Sequence, residues 1–304
     1  AGSGSSGSAN GTGTAASFNQ PWHVAVDGSG NVYVADEVNH LIRKITSAGV
    51  VTTLAGSGSA GSTNGTGPAA SFNYPNGVAV DGSGNVYVAD YFNHLIRKIT
   101  SAGVVTTLAG SGSAGSADGT GTAASFNRPS GVAVDNSGNV YVADRYNHLI
   151  RKITSAGVVS TLAGSGSEGS ADGTGPAASF NKPADVAADG SGNVYVGDIT
   201  NDLIRKITSA GVVTTLAGTG SWGNTNGTGT AASFNDPYGV AVDGSGNVYV
   251  ADRSNHLVRK ITSAGVVTTL AGTGSTGDAN GTGTAASFNR PSGVAVDGSG
   301  NVYV

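Results

Sequence analysis

A unit of 54 residues is written five times along this chain and begun a sixth time. Each copy carries a phenylalanine followed by Asn, one variable residue and Pro, and the phenylalanines are Phe18, Phe72, Phe126, Phe180, Phe234 and Phe288. Stacked repeats bury their apolar faces against neighbouring copies and so make one continuous body. We therefore expect a single domain over residues 1–304, with repeats at 1–54, 55–108, 109–162, 163–216 and 217–270 and a partial copy at 271–304.

The composition narrows the classes of partner. Glycine is abundant, at 51 of 304 residues, but it recurs in register between apolar segments, which indicates turns rather than disorder. The 15 basic residues face 19 acidic ones without forming a basic run, so we expect no nucleic-acid partner. No apolar run approaches the roughly 20 residues that span a bilayer, and we expect no membrane insertion. The absence of cysteine removes thiolate metal sites. The Gly-, Ser- and Thr-rich, charge-poor composition favours a secreted or cell-surface protein of a bacterium.

Within one repeat, four segments have the residues of β-strands. Residues 23–27 and 31–34 alternate around an Asp-Gly-Ser-Gly turn and predict a hairpin, and residues 40–46 and 50–54 flank a Ser-Ala-Gly turn. No segment between Gly or Pro residues is long enough for an amphipathic helix. Each repeat is thus predicted to be a four-stranded antiparallel meander. The remaining 20 residues form a long connection, which the repeated phenylalanine is expected to anchor.

The chain resembles the NHL-repeat β-propellers. The Asn-His-Leu triplet of that family's signature stands at Asn39-His40-Leu41 and recurs at residues 93–95, 147–149 and 255–257, while the fourth copy reads Asn201-Asp202-Leu203. The resemblance covers essentially the whole chain. It implies an all-β, six-bladed β-propeller built from 54-residue repeats, with an incomplete last blade of two inner strands. The fourth copy also departs from the others at Asp185, Ala188 and Gly197, so that blade is either relaxed or specialised.

The sixth copy reaches only its second predicted strand, at residues 301–304. The outer side of such a strand has unpaired backbone groups and is a site for strand addition. Either the parent protein is larger, or a partner strand or a second copy completes the blade by self-association.

Differences between copies concentrate in two sets of loops that antiparallel geometry places at one end of the blades. These are the start of the first strand and the loop after the second strand. Aromatic and arginine side chains are the usual anchors of interfaces. We therefore predict a ligand-binding face made of Trp22, His23, Tyr74, Tyr91, Phe92, Arg128, Arg145, Tyr146, Lys182, Asp236, Tyr238, Arg253 and Arg290. The alternative is neutral drift on tolerant loops.

Little in the sequence indicates catalysis. Four of the five histidines belong to the repeated triplet, where a structural hydrogen bond is expected, and only His23 and Asp185 replace a repeated glycine. We therefore predict no catalytic residue, no metal and no cofactor. The predicted function is a non-enzymatic scaffold that binds a protein or peptide. The alternatives are a carbohydrate-binding surface protein, a self-assembling propeller completed by strand addition, and a metal-dependent lyase or hydrolase using His23 and Asp185.

Overall fold

The computed structural model describes residues 1–304, which form five antiparallel sheets of five strands and one sheet of two strands. The helical elements are eleven 3₁₀ turns of three residues each. No helix has the length and apolar character needed to cross a membrane.

The first three sheets follow the first three repeats. Sheet 1 contains β1 (Gly11–Thr12), β2 (Pro21–Val26), β3 (Val32–Asp36), β4 (Leu41–Ile45) and β5 (Val50–Ala55). Sheet 2 contains β6 (Gly65–Thr66), β7 (Pro75–Val80), β8 (Val86–Asp90), β9 (Leu95–Ile99) and β10 (Val104–Ala109). Sheet 3 contains β11 (Gly119–Thr120), β12 (Pro129–Val134), β13 (Val140–Asp144), β14 (Leu149–Ile153) and β15 (Val158–Ala163).

The remaining sheets come from the last three repeats. Sheet 4 contains β16 (Gly173–Thr174), β17 (Pro183–Ala188), β18 (Val194–Asp198), β19 (Leu203–Ile207) and β20 (Val212–Ala217). Sheet 5 contains β21 (Gly227–Thr228), β22 (Pro237–Val242), β23 (Val248–Asp252), β24 (Leu257–Ile261) and β25 (Val266–Ala271). The sixth repeat supplies β26 (Ala295–Val296) and β27 (Val302–Tyr303).

The 3₁₀ turns occupy two recurrent places. One kind follows the short first strand, at Gly13–Ala15, Gly67–Ala69, Gly121–Ala123, Gly175–Ala177 and Gly229–Ala231. Its counterpart in the sixth repeat, Gly283–Ala285, follows no such strand. The other kind joins the two central strands, at Glu37–Asn39, Tyr91–Asn93, Arg145–Asn147, Ile199–Asn201 and Arg253–Asn255.

In the five complete repeats the predicted four-stranded meander is correct, but the prediction misses a fifth strand. In sheet 1 the order is β1-β5-β4-β3-β2, so the long connection adds a short strand outside β5 before the chain continues to β2 at the opposite edge. Gly11 pairs with Val51 and Thr12 with Val50 in this added ladder. A two-residue strand that begins with glycine has no alternating apolar pattern, and the sequence therefore gave no signal for it.

The prediction of six blades is wrong, because the structure has five blades and a separate two-stranded sheet. In the sixth repeat Ala295 pairs with Tyr303 and Val296 with Val302. Residues 271–304 therefore form neither the further ladders nor the short first strand that the other five repeats have. The all-β propeller class is retained.

Contacts divide the chain into two compact units. Unit 1 comprises Ala1–Val142 and Lys152–Ser160, and unit 2 comprises Ala143–Arg151 and Thr161–Val304. In unit 1 a core of buried side chains from sheets 1 and 2 surrounds Phe72. In unit 2 sheets 4 and 5 make the equivalent core around Phe234. Both rings are fully buried, as expected for residues that anchor the connections.

Each blade also contains a fully buried Arg–Asp pair. The pairs are Arg43–Asp36, Arg97–Asp90, Arg151–Asp144, Arg205–Asp198 and Arg259–Asp252, with N–O distances of 2.8 to 3.0 Å. Arg97 also donates to the backbone oxygens of Ser71 and Thr63 and to Asn64 Oδ1. This arginine therefore fastens the long connection to its own blade.

Candidate functional site

The variable residue at the start of each inner strand has a left-handed backbone. Its φ angle lies between 51° and 54° in every copy, at Gln20, Tyr74, Arg128, Lys182, Asp236 and Arg290. Residues other than glycine seldom adopt this conformation, and for bulky side chains it is an outlier. Strain of this kind persists only where the surrounding structure enforces it, and it often marks functional sites.

The histidine of the preceding repeat is part of what holds this backbone. His94 Nδ1 accepts a hydrogen bond from the backbone N–H of Arg128 at 3.0 Å, and His40 Nδ1 accepts from Tyr74 at 3.1 Å. In unit 2 His148 and His256 accept equivalent bonds from Lys182 and Arg290. These histidines thus make a hydrogen bond, as predicted, although its partner is the backbone of the next repeat and not the Asp36–Arg43 region that the sequence suggested.

The fourth copy keeps this interaction with a different acceptor. Asp202 Oδ1 accepts the N–H of Asp236 at 2.9 Å. Asp202 has a φ of 53°, close to the 55° to 57° of the histidines it replaces. Aspartate tolerates the left-handed region and offers an acceptor atom, so it can replace histidine here. The departure in sequence is therefore a conservative change in structure.

Burial affects the protonation of these acceptors. It lowers the pKa of His40, His94 and His148 below the usual value of 6.5, and the Arg128 guanidinium lowers the pKa of His94 further. A neutral imidazole has one nitrogen that accepts, whereas an imidazolium has none. The lowered pKa thus keeps the hydrogen bond to the next repeat intact at neutral pH.

Unit 1 presents an aromatic cluster, which we define as Tyr74, Tyr91, Phe92 and Arg128. The Phe92 ring meets Tyr74 and Tyr91 edge to face, with centroid distances of 5.1 and 4.9 Å. The Arg128 guanidinium carbon lies 5.1 Å from the Phe92 centroid and 5.9 Å from that of Tyr91. Phe92 is 41% exposed although it contacts three side chains. The sequence predicted these four residues, and the structure brings them together.

Unit 2 presents an arginine cluster, which we define as Arg145, Arg253 and Arg290 with Tyr146 and Tyr238. Arg145 donates from Nη1 to the Tyr238 hydroxyl at 3.3 Å, and its guanidinium carbon lies 5.6 Å from that ring. Arg253 donates from Nε to Ser292 Oγ at 3.4 Å. Lys182 Nζ and the Arg145 guanidinium carbon each lie 5.9 Å from the Tyr146 centroid. Asp236, also predicted, accepts a hydrogen bond from Ser254 Oγ.

Other predicted residues lie deeper than expected. Tyr238 is 2% exposed and His23 6%, while Trp22 is half-buried. His23 Nδ1 accepts a long hydrogen bond of 3.4 Å from the backbone N–H of Val78. The residue two positions after the left-handed residue is buried in several copies, at Asn76, Ser130 and Tyr238. There, Ser130 Oγ donates to Asn76 Oδ1, and Asn76 Nδ2 donates to Glu37 Oε1.

Two substitutions in the fourth copy, Asp185 and Gly197, lie opposite each other on paired strands. Asp185, fully buried, accepts the backbone N–H of Val240 at 2.9 Å. Its strand neighbour Gly197 stands where other copies have alanine, and a Cβ at Gly197 would lie 2.4 Å from the Tyr238 backbone oxygen. A Cβ at Gly77 or Gly239 would lie just as close, 2.4 or 2.3 Å, to the equivalent backbone oxygen of the next repeat. The fourth copy therefore keeps the close approach and has its glycine on the neighbouring strand. Across the chain, His, Asp and Glu side chains form no group of three or more that could hold a metal ion.

The repeats match a known family. A family model described as NHL repeat matches residues 18–45, 72–99, 126–153 and 234–261. The chain is 31% identical to Protein SUPPRESSOR OF QUENCHING 1, chloroplastic, from Arabidopsis thaliana, over 81% of this chain and 25% of that protein. It is 29% identical to NHL repeat-containing protein 2 from Bos taurus, over 93% of this chain and 44% of that protein. The chain thus spans less than half of each of these relatives. Because they come from a plant and a mammal, the expected bacterial origin stays a prediction.

Solved structures share the fold at lower identity. A protein of unknown function from Bacteroides thetaiotaomicron superimposes with a TM-score of 0.74 at 21% identity, over 99% of this chain and 70% of the other. Virginiamycin B lyase from Staphylococcus aureus gives a TM-score of 0.55 at 14% identity, over 90% of this chain and 74% of the other. At these identities the likeness concerns the fold alone. The repeated signature, the matching family model and the named relatives together show that this chain belongs to the NHL-repeat β-propeller family.

Proposed function

We propose that this repeat scaffold binds a protein or peptide, without catalysis, through the loops that carry the variable aromatic and arginine residues. The aromatic cluster of unit 1 is the observation that supports the proposal. An exposed phenylalanine contacted by two tyrosines and stacked with an arginine has the residue types that dominate binding energy at interfaces.

The fixed backbone beneath the cluster supports the same proposal. Tyr74 and Arg128 are held at φ angles of 54° and 51° by the histidines of the preceding repeats. Side chains whose backbone is already ordered lose less conformational freedom when a partner binds. Variation between copies then changes the chemistry presented by the loops without changing their framework.

The role of the histidines supports a non-enzymatic scaffold. Four of the five histidines accept backbone hydrogen bonds from the next repeat through Nδ1. The fifth, His23, accepts one from Val78. A general base must instead reach a proton on the substrate. Each histidine therefore has a structural task that accounts for its position.

Peptide selection tests the proposal. Peptides enriched from a random phage-displayed library on the wild-type protein should bind Phe92→Ser at least about tenfold more weakly, because hot-spot side chains are worth about 2 kcal/mol or more. Trp222→Ser is the matched control, since Trp222 is 79% exposed but lies outside these loops. Fluorescence anisotropy gives both affinities.

Two results would contradict the proposal. Equal binding by wild type and Phe92→Ser would remove the aromatic cluster from recognition. Equal losses for Phe92→Ser and Trp222→Ser would show that the selected peptides bind any exposed aromatic ring.

A further inference from the structure

A cavity of about 510 Å³ lies beside sheet 5 in unit 2. Strands β24 and β25 contribute to its lining, together with the connections that precede and follow this sheet. The lining residues are Asn224, Leu257, Thr269, Gly272, Thr273, Gly274 and Thr284. Sites for small organic molecules commonly have volumes of about 300 to 1,000 Å³, so this cavity has the size of a ligand site.

The lining is polar but carries no charge. The side chains of Asn224, Thr269 and Thr284 make no hydrogen bond with the rest of the protein. By contrast Thr215, the counterpart of Thr269 in the fourth repeat, donates to Asp172 Oδ1 at 3.1 Å. An amide and two hydroxyls therefore keep their donors and acceptors available around the cavity, and they suit a neutral ligand rich in hydroxyl groups.

The connections that line the cavity are fixed by hydrogen bonds. The N–H of Gly272 donates to the backbone oxygen of Gly283 at 3.2 Å. Next to Asn224, the N–H of Gly223 donates to the backbone oxygen of Phe234 at 2.9 Å, and Asn255 Nδ2 donates to the oxygen of Gly223 at 2.7 Å. A cavity formed by ordered segments requires little further ordering when a ligand binds.

An exposed tryptophan stands near the cavity. Trp222 is 79% exposed and precedes Asn224 by two residues, a length that spans at most about 7 Å. Both residues are peculiar to the fifth repeat, because the first four repeats have serine at the position of Asn224 and no other repeat has an aromatic residue at that of Trp222. The counterparts of Trp222 are Ser6, Ala60, Ala114, Glu168 and Thr276. An indole and an available amide thus occur together, next to the same cavity.

We propose that Trp222 and this cavity bind a neutral oligosaccharide. A pyranose ring has a face of C–H groups, which stacks on the flat apolar indole, and a rim of hydroxyls. The hydroxyls exchange hydrogen bonds with the amide of Asn224 and with the hydroxyls of Thr269 and Thr284, all of which can both donate and accept. The site lies within unit 2 and uses none of the aromatic-cluster residues, so it adds a second class of ligand to the proposed peptide binding.

The indole N–H signals of the protein test this directly, because the chain has two tryptophans. In proton–nitrogen correlation spectra of isotope-labelled protein, cellotriose should shift the indole signal of Trp222. The signal of Trp22, which is half-buried in unit 1, should stay in place and serves as the internal reference. Sorbitol at the same concentration of hydroxyl groups should shift neither signal, since this open-chain polyol has no ring face to stack.

Substitutions already present in other repeats locate the site. Alanine and serine stand at the positions of Trp222 and Asn224 in the second repeat, so the fold accepts both. Trp222→Ala should weaken cellotriose binding about tenfold, and Asn224→Ser and Thr269→Val about twofold to tenfold. Thr107→Val, the same change in the second repeat, should leave the affinity unaltered. The backbone amide of Gly274, which lines the cavity, reports the affinity of every variant.

Three outcomes would overturn the inference. If cellotriose, mannotriose and galactotriose all leave the Trp222 signal in place, the site does not bind neutral sugars. If sorbitol shifts this signal as much as cellotriose does, no ring is recognised. If Trp222→Ala and Asn224→Ser both bind cellotriose as tightly as wild type, the sugar binds elsewhere. The proposed function is tested separately, since it depends on the selected peptides and Phe92→Ser.

Discussion

The hydrogen bond between His94 and the backbone of Arg128 gives a sharp prediction for a single amide. Substituting His94→Ala removes the acceptor of the Arg128 N–H, which lies 3.0 Å from Nδ1 in a half-buried place. An N–H left without its partner costs about 1 to 3 kcal/mol. Since 1.4 kcal/mol corresponds to a factor of ten, exchange of the Arg128 amide should accelerate roughly fivefold to more than a hundredfold.

The chain supplies its own matched control. Asp202 does in the fourth copy what His94 does in the second, with Oδ1 2.9 Å from the Asp236 nitrogen. The substitution His94→Asp should therefore keep Arg128 protected, whereas His94→Ala should not. In both variants the Tyr74 amide, held by the untouched His40, serves as the internal reference.

Amide hydrogen exchange followed by NMR at pH 7.5, divided by the intrinsic rate of each residue, provides the measurement. An unchanged protection factor for Arg128 in His94→Ala would refute the reasoning. So would a loss of protection in His94→Asp equal to that in His94→Ala, because it would show that the imidazole ring, and not an acceptor atom, holds this backbone.

Three further predictions concern stability and pH. Because burial lowers the pKa of His40, His94 and His148, the stability that they contribute is present above pH 6.5 and is lost as the pH falls through their lowered values. Amide exchange of Tyr74, Arg128 and Lys182 should then accelerate relative to intrinsic rates. The Asp236 amide should stay protected, because the carboxyl of Asp202 still accepts a hydrogen bond when it is protonated. Arg97→Met should cost about 3 to 5 kcal/mol in urea unfolding by leaving the carboxylate of Asp90 buried without this arginine, and a cost below about 1 kcal/mol, or one no larger than that of Lys98→Met, would contradict this. Gly197→Ala should cost about 1 to 3 kcal/mol because its Cβ would meet the Tyr238 backbone oxygen, while Gly244→Ala, with no atom near its Cβ, should be close to neutral; equal unfolding midpoints for the two would refute the close contact.

The repeated parts of the fold could be predicted because local pattern decides them. The predicted segments 31–34 and 40–46 correspond to Val32–Asp36 and Leu41–Ile45, and each lies between turn residues that the sequence displays. The fifth strand at Gly11–Thr12 could not be predicted, since its position depends on pairing with a strand almost 40 residues away. The number of blades was wrong because a repeat count does not say which copies complete their ladders.

The sequence indicated which residues vary between copies but not how deeply each of them is buried. Variation between copies found Tyr74, Tyr91, Phe92 and Arg128, which the structure brings into contact. It also selected Tyr238, which is buried, because variation does not distinguish a side chain at the surface from one that faces the next blade. The sequence did not indicate the left-handed backbone, because the residues that adopt it differ in size and charge and none of them is glycine.

The hydrogen bonds that fix these backbones join a ring nitrogen or carboxylate oxygen of one repeat to a main-chain N–H of the next. Every amino acid except proline carries that N–H, so the hydrogen bond does not depend on which side chain stands at that position. The five residues held in this way can therefore be exchanged independently, because the hydrogen bond that positions each of them involves only its main chain. Combinatorial libraries at Tyr74, Arg128, Lys182, Asp236 and Arg290 are accordingly a natural use of this protein in engineering.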